Sequence, residues 1–328
     1  MIGVIGSGSW ATAIAKILSE NCNTINWWIR EPQIIEGIQM SSHNPLYLSQ
    51  VAFNREKLNL SNSIAEVIRQ TDDIVLVVPA AFVDASLQGV TPEMLKGKRI
   101  HSAVKGIIPE TNQIVAHYLE DKFNIPTKNI SIVSGPSHAE EIAQEKLTFL
   151  TVASENKQLA ENVSEMFNNR YVRTVLSEDI YGIEYGAVLK NIYALATGIY
   201  KGLGYGDNFI AVLISNAMRE MDDFIQTKHP MDSRQLENFA YLGDLLVTAY
   251  SQHSRNRTFG TMIGSGYSVK SAMLEMKMVA EGYYATKCIY RMCKEKNISM
   301  PIVEAVYNVL YESASPAVQM RLLSERLI

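Results

Sequence analysis

The sequence is poor in cysteine: 328 residues carry 3, Cys22, Cys288 and Cys293, and none falls in a C-x-x-C spacing. An odd, scattered set argues against a disulfide framework and a cysteine-bound zinc, and fits a reducing compartment. The 6 histidines show no metal-ligand spacing either, so zinc catalysis has no support. Positive charge is not in excess. Lys+Arg number 30 against 34 Asp+Glu, a net charge of −4, which excludes the basic surface that a nucleic-acid binder uses on phosphates. No run reaches the roughly 18 uninterrupted apolar residues of a membrane span. The longest candidate, from Gly186 to Tyr200, is interrupted by Lys190. Repeats, low-complexity tracts and Pro/Gly/Ser-rich linkers are missing too. Met1 opens into a strand-like segment rather than a basic-then-apolar leader, so the expectation is a soluble, cytoplasmic protein.

What is present is ordinary for a folded chain: 47% hydrophobic and 20% charged residues. At roughly 100–200 residues per domain, the length predicts two domains. The pattern changes character once. Up to about residue 176, β-branched runs alternate with amphipathic segments such as Trp10–Asn21 and Ile64–Arg69. Strands are predicted at Ile2–Ile5, Thr24–Arg30, Ile74–Val78, Arg99–Val104, Ile130–Ser134, Leu147–Ala153 and Tyr171–Leu176. Several are apolar without alternation, as strands covered on both faces are. That order predicts a parallel, doubly wound, Rossmann-like α/β sheet domain over residues 1–178.

From residue 179 to 328 the strand signal fades. Asp179–Leu203, Asn208–Gln226, Gln235–Ser251, Ser268–Asn297, Ile302–Glu312 and Ala317–Arg326 read as helices, with Pro301 and Pro316 at first-turn positions. This half is predicted to be an all-helical substrate-binding domain, and the crevice between the halves is where a site is expected.

Gly6-Ser7-Gly8-Ser9-Trp10-Ala11 follows the first strand and opens a helix. This is the dinucleotide fingerprint G-x-G-x-x-A. Gly6 allows the tight turn, Gly8 lets backbone approach a pyrophosphate, and Ala11 permits close helix packing. The helix N-terminus offers its N–H groups and dipole to the phosphates. Past the second strand the chain reads Trp28-Ile29-Arg30-Glu31. Arg30 is placed for a 2′-phosphate and favours NADP, while Glu31 keeps NAD open.

In the second half, the segment from Glu184 to Ala196 is apolar nearly all round and therefore reads as buried. Lys190 and Asn191 are its strongly polar groups. Two readings fit Lys190: a lysine that snorkels outward, or an ammonium held in a cleft as the general acid/base of a carbonyl reduction. Asn191 is either a satisfied core amide or a donor to the same oxygen. Asp244, between apolar neighbours, reads as a helix N-cap or first-turn acid, or as a partner of Lys190 or a ligand to a substrate hydroxyl. Lys105 ends a strand on the edge where such sheets bind ligands. Ser137 with Glu140 has the spacing of a capping box. Ser254-Arg255-Asn256-Arg257 is either an exposed basic turn or a set of donors for a phosphomonoester.

Taken in order, the chain resembles the NAD(P)-dependent glycerol-3-phosphate dehydrogenases of the bacterial type. The likeness rests on GSGSWATAIA from Gly6, VKGIIPET from Val104, SGPSHAEEIA from Ser134 and LKNIYALATGIYKGLGYGDN from Leu189. It continues with LGDLLVTAYSQHSRNRTFG from Leu242, KMVAEGYYAT from Lys277 and MPIVEAVYNVLYE from Met300. The resemblance implies interconversion of dihydroxyacetone phosphate and sn-glycerol 3-phosphate, and a supply of the latter for phospholipids. It implies Lys190 as general acid/base and Lys105 beside both cofactor and substrate. Gly135, Ser137, Asp244, Ser254, Arg255 and Asn256 would contact substrate. Ser9, Trp10, Arg30, Tyr47, Ala139, Arg255, Val279 and Glu281 would contact the cofactor, along with Gly6 and Gly8. Ala11 replaces the glycine usual in the family, and Pro79-Ala80-Ala81 replaces its Pro-Ser pair. A homodimer is the base-rate expectation for the assembly.

Overall fold

Short apolar strands gather at the centre of the first half because both of their faces are covered. In the computed structural model, which describes residues 1–276 and 280–327, β1 (Ile2–Ile5), β2 (Ile25–Trp28) and β4 (Asp73–Leu76) are buried along their whole length. With β3 (Leu58–Ser61), β5 (Arg99–Ser102), β6 (Ile130–Ser134), β7 (Thr148–Ala153) and β8 (Val172–Ser177) they form an 8-stranded sheet of order β3-β2-β1-β4-β5-β6-β7-β8. The order reverses direction at β1, which pairs in parallel with both β2 and β4. Ligands bind such sheets at that switch point, beyond the carboxyl ends of the strands. Ile14, Ile17 and Leu18 of the Ser9–Asn21 helix pack into the sheet core with Val4, Trp27 and Val75.

Two features depart from the sequence prediction. The sheet is mixed rather than parallel throughout, because β6 and β7 run antiparallel. Alternation of apolar runs fixes which segments are strands, not the direction in which a connection returns. The strand β3 was not foreseen; of its four residues Leu58 is buried and Asn59 exposed, as suits an edge.

The chain divides into two compact units, one of Met1–Val104 with Gln113–Ile180, the other of Lys105–Asn112 with Tyr181–Ile328. The second unit is helical. Its central helix, Ile180–Gly202, is 23 residues long and buried over most of its length. The predicted Ser268–Asn297 helix is instead two, Val269–Glu275 and Glu281–Lys296. Ser254 to Arg257 is not a turn: Ser254 is the N-cap of the helix Arg255–Gly264, its side chain accepting from the Arg257 N–H. That helix crosses Ile180–Gly202 at glycines. A Cβ on Gly260 would overlap the Leu195 carbonyl oxygen, and one on Gly198 would lie 2.8 Å from the Thr261 nitrogen. Among the described residues, no helix is long and apolar enough to cross a membrane.

Candidate active site

In the first unit, the turn after β1 has the geometry the fingerprint requires. Gly6 has φ +139°, and a Cβ there would sit 2.8 Å from the Val77 carbonyl oxygen. The turn is fastened by the Trp27 indole, which donates to the Gly6 carbonyl at 2.6 Å. At Gly8 an added Cβ would meet nothing within 4 Å, so backbone borders open space. No side-chain oxygen caps the Ser9–Asn21 helix that follows. An open glycine turn running into a helix without a side-chain cap fits a pyrophosphate. Ala11 is fully buried, and the Trp10 indole donates to the Ala103 carbonyl at 2.9 Å.

Tyr47 is tied to this turn by a residue that the sequence reading passed over. Asn44 accepts from the Leu46 and Tyr47 N–H groups, and its amide donates to the Thr12 hydroxyl at 2.9 Å. The Asn44-Pro45 dipeptide is a turn signal that could have marked it. Arg30 is exposed, and its guanidinium donates to the Glu31 carboxylate. The same carboxylate accepts from the Ser7 hydroxyl at 2.5 Å, a contact that sequence spacing does not reveal.

Beyond β6, Gly135 takes φ +127°, and a Cβ would lie 3.0 Å from the Phe149 carbonyl oxygen. The predicted capping box does not form. The helix Ala139–Ala143 has His138 at its N-cap, and the Ser137 hydroxyl donates to the Gly135 carbonyl at 2.9 Å. The helix starts one residue later than the S-x-x-E spacing suggests. Ala139 is buried at its first position.

The second unit gathers the charged residues that stood in apolar company. Lys190 is 5% exposed and Asp244 1%, and the Lys190 ammonium donates to Asp244 Oδ1 at 2.5 Å. Lys190 therefore does not snorkel. Asp244 opens the helix Asp244–Tyr250 directly after the wide turn Phe239–Gly243. Its other oxygen, Oδ2, lies 3.5 Å from the Lys105 ammonium. Burial pushes Lys105 down to about 7, helped by the Lys190 cation and opposed by the Asp244 carboxylate. One buried carboxylate thus faces two amines.

Two asparagines brace this cluster. Asn191 donates to the Lys105 carbonyl at 2.7 Å and to the Ala187 carbonyl at 3.2 Å. Asn256 donates to Asn191 Oδ1 at 2.9 Å and accepts from the Gly282 N–H at 2.9 Å. Ser254 is buried with its oxygen on the helix cap, whereas Arg255, the first residue of that helix, is exposed. Glu281 opens the helix Glu281–Lys296. Val279 lies outside the described residues.

A dinucleotide turn in one unit and a buried ammonium held by a carboxylate in the other place the protein among the nicotinamide-dependent dehydrogenases. Comparison with known proteins narrows the class. The family profile described as the NAD-dependent glycerol-3-phosphate dehydrogenase N-terminus matches residues 1–160, and that of the C-terminus matches residues 179–321. The chain belongs to the NAD-dependent glycerol-3-phosphate dehydrogenase family.

It is similar to the glycerol-3-phosphate dehydrogenase [NAD(P)+] of Syntrophotalea carbinolica, 36% identical over 96% of this chain and 94% of the relative. The enzyme of the same name from Agathobacter rectalis is 34% identical over 100% and 97%. Among solved structures, glycerol-3-phosphate dehydrogenase from Coxiella burnetii matches with a TM-score of 0.90 and 29% identity over 99% of this chain and 98% of that one. A ketopantoate reductase from Ralstonia eutropha, at 14% identity and a TM-score of 0.60, shares the fold alone.

Proposed function

We propose that this protein interconverts dihydroxyacetone phosphate and sn-glycerol 3-phosphate with NADH or NADPH, supplying the glycerol phosphate backbone of phospholipids. A reduced nicotinamide, when bound, supplies the hydride for the C2 carbonyl carbon. Gly6, Gly8 and the start of the Ser9–Asn21 helix hold the pyrophosphate, with Ser9, Trp10, Arg30, Tyr47, Ala139 and Glu281 as further cofactor contacts. Gly135 and Ser137, beyond β6, complete the substrate contacts.

The observation that carries the reading is the buried Lys190–Asp244 pair with Lys105 at its other oxygen. Lys190 hands its Nζ proton to the oxygen that gains charge as C2 is reduced, and takes it back in the oxidation. Asp244 aims that ammonium and balances its charge. Lys105, a second cation in the same desolvated cluster, stabilises the developing oxyanion. Arg255 presents its planar fork to the substrate phosphate, with Ser254 and the second amide hydrogen of Asn256 beside it. Binding energy at the phosphate, remote from C2, holds the carbonyl in register. Free cysteines, two of them buried, fit a reducing cytoplasm, and the assembly favoured by base rate is a two-fold homodimer.

The test follows nicotinamide absorbance. Dihydroxyacetone phosphate should drive oxidation of the reduced dinucleotide, while a 2-keto acid lacking phosphate should not. Arg255→Ala should raise KM for dihydroxyacetone phosphate by at least about tenfold, the loss of one charge-assisted contact. Turnover with the keto acid alone, or an unchanged KM in the variant, would contradict the assignment.

A further inference from the structure

Ser7, Arg30 and Glu31 form a closed polar cluster beside the glycine turn, and the general reaction does not require it. The Ser7 hydroxyl donates to Glu31 Oε2 at 2.5 Å. Arg30 donates from Nε at 2.9 Å and from Nη2 at 2.6 Å, both to Glu31 Oε1. Glu31 keeps 22% of its side-chain exposure and Arg30 66%. Burial raises the Glu31 carboxyl, yet the hydrogen bonds from Ser7 and Arg30 outweigh it and hold the group below its ordinary range. The carboxylate is therefore charged, oriented and fixed to the turn itself.

We propose that Glu31, anchored by Ser7, sets the choice of dinucleotide in this protein and favours a free adenosine 2′-hydroxyl over a 2′-phosphate. The proposal rests on reading the glycine turn as a dinucleotide site. In a doubly wound sheet the chain just past the second strand faces the adenosine ribose, and β2 ends at Trp28, two residues before Arg30. Each oxygen of a carboxylate has two lone-pair sites, so Glu31 can accept from a ribose hydroxyl while keeping Ser7. A 2′-phosphate offers roughly −1.5 to −2 charges and no such donor. It would meet Glu31 as a like charge in a partly desolvated place.

Arg30 does not relieve that conflict in the arrangement seen. Its fork is closed on Glu31, so a phosphate must first break two charge-assisted hydrogen bonds and then leave the carboxylate uncompensated. Arginine past the second strand, read by itself, favours NADP; the carboxylate it pairs with reverses that preference. Replacing Glu31 by glutamine keeps size and the Ser7 hydrogen bond while removing the charge and freeing the guanidinium.

Calorimetric titration with ADP-ribose and with 2′-phospho-ADP-ribose tests this without turnover. The wild type should bind ADP-ribose more tightly. Glu31→Gln should shift the ratio of the two affinities toward the phosphorylated ligand by at least about tenfold, and Ser7→Ala should shift it in the same direction by less. The ratio of kcat/KM for NADH and NADPH should move in parallel. A far-ultraviolet circular dichroism spectrum and a thermal unfolding midpoint matching the wild type show that Glu31→Gln is folded. Tighter binding of the 2′-phosphate by the wild type, or an unmoved ratio in Glu31→Gln, overturns the inference while leaving the dinucleotide site standing. Binding of neither ligand to the wild type overturns that site and the inference with it.

Discussion

Asp244, a single buried carboxylate, lies between Lys190 and Lys105, and the arrangement has a pH consequence. Lys105 titrates at about 7, so it is cationic below that value and neutral above it. If its cation stabilises the oxyanion, kcat/KM for ketone reduction should fall as pH rises through about 7. Lys105→Arg, whose guanidinium stays charged, should lose that limb of the profile. A limb that persists in the arginine variant would assign it to another group. On the helix that carries Lys190, Tyr193 is fully buried and its hydroxyl has no hydrogen-bond partner among the described residues. Tyr193→Phe should therefore leave stability unchanged or raise it by up to about 1 kcal/mol. Denaturant unfolding that showed a loss above about 1.5 kcal/mol would mean the hydroxyl is satisfied after all. Lys190 and Asp244 were legible in the sequence because a charge among apolar neighbours is conspicuous. The hold of Ser7 on Glu31 and of Asn191 on the Lys105 carbonyl was not, because each joins residues far apart in the chain.

At the scale of elements, the crossing of Arg255–Gly264 over Ile180–Gly202 brings the candidate site residues together. One helix carries Lys190 and Asn191, the other Arg255 and Asn256, and glycines let their backbones touch. Gly260→Ala would drive a methyl group into the Leu195 carbonyl oxygen. It should lower stability by about 1–3 kcal/mol and reduce kcat as the Asn191–Asn256 contact opens. Thermal unfolding and turnover of the variant check this; wild-type values for both would show that the crossing has slack. The same glycines explain why an exposed turn was one of the two readings open for this segment. Its sequence, Arg255-Asn256-Arg257-Thr258-Phe259-Gly260, is a poor helix former in isolation, and packing rather than propensity keeps it helical. Buried strands were plain as β-branched apolar runs. The edge strand β3 was missed because one buried leucine in four residues carries little pattern. The antiparallel turn of β7 was missed because strand direction leaves no local mark.

At the scale of the whole molecule, the chain passes from the first unit to the second at Lys105, returns at Gln113 and leaves again at Tyr181. The early excursion supplies Lys105 to a cluster otherwise built from the last part of the chain. A reading by segments expects one change of character near residue 178 and has no local mark by which to group the short stretch Lys105–Asn112 with Tyr181–Ile328. Under the proposed function the labour divides: the sheet unit holds the dinucleotide turn, and the helical unit holds the Lys190 ammonium assigned to proton transfer. Lys190→Ala should then separate the two tasks. The decisive measurement is the turnover of dihydroxyacetone phosphate by this variant, alongside its affinity for ADP-ribose. The account predicts kcat lower by at least about 100-fold with ADP-ribose affinity unchanged; near-normal turnover would contradict it.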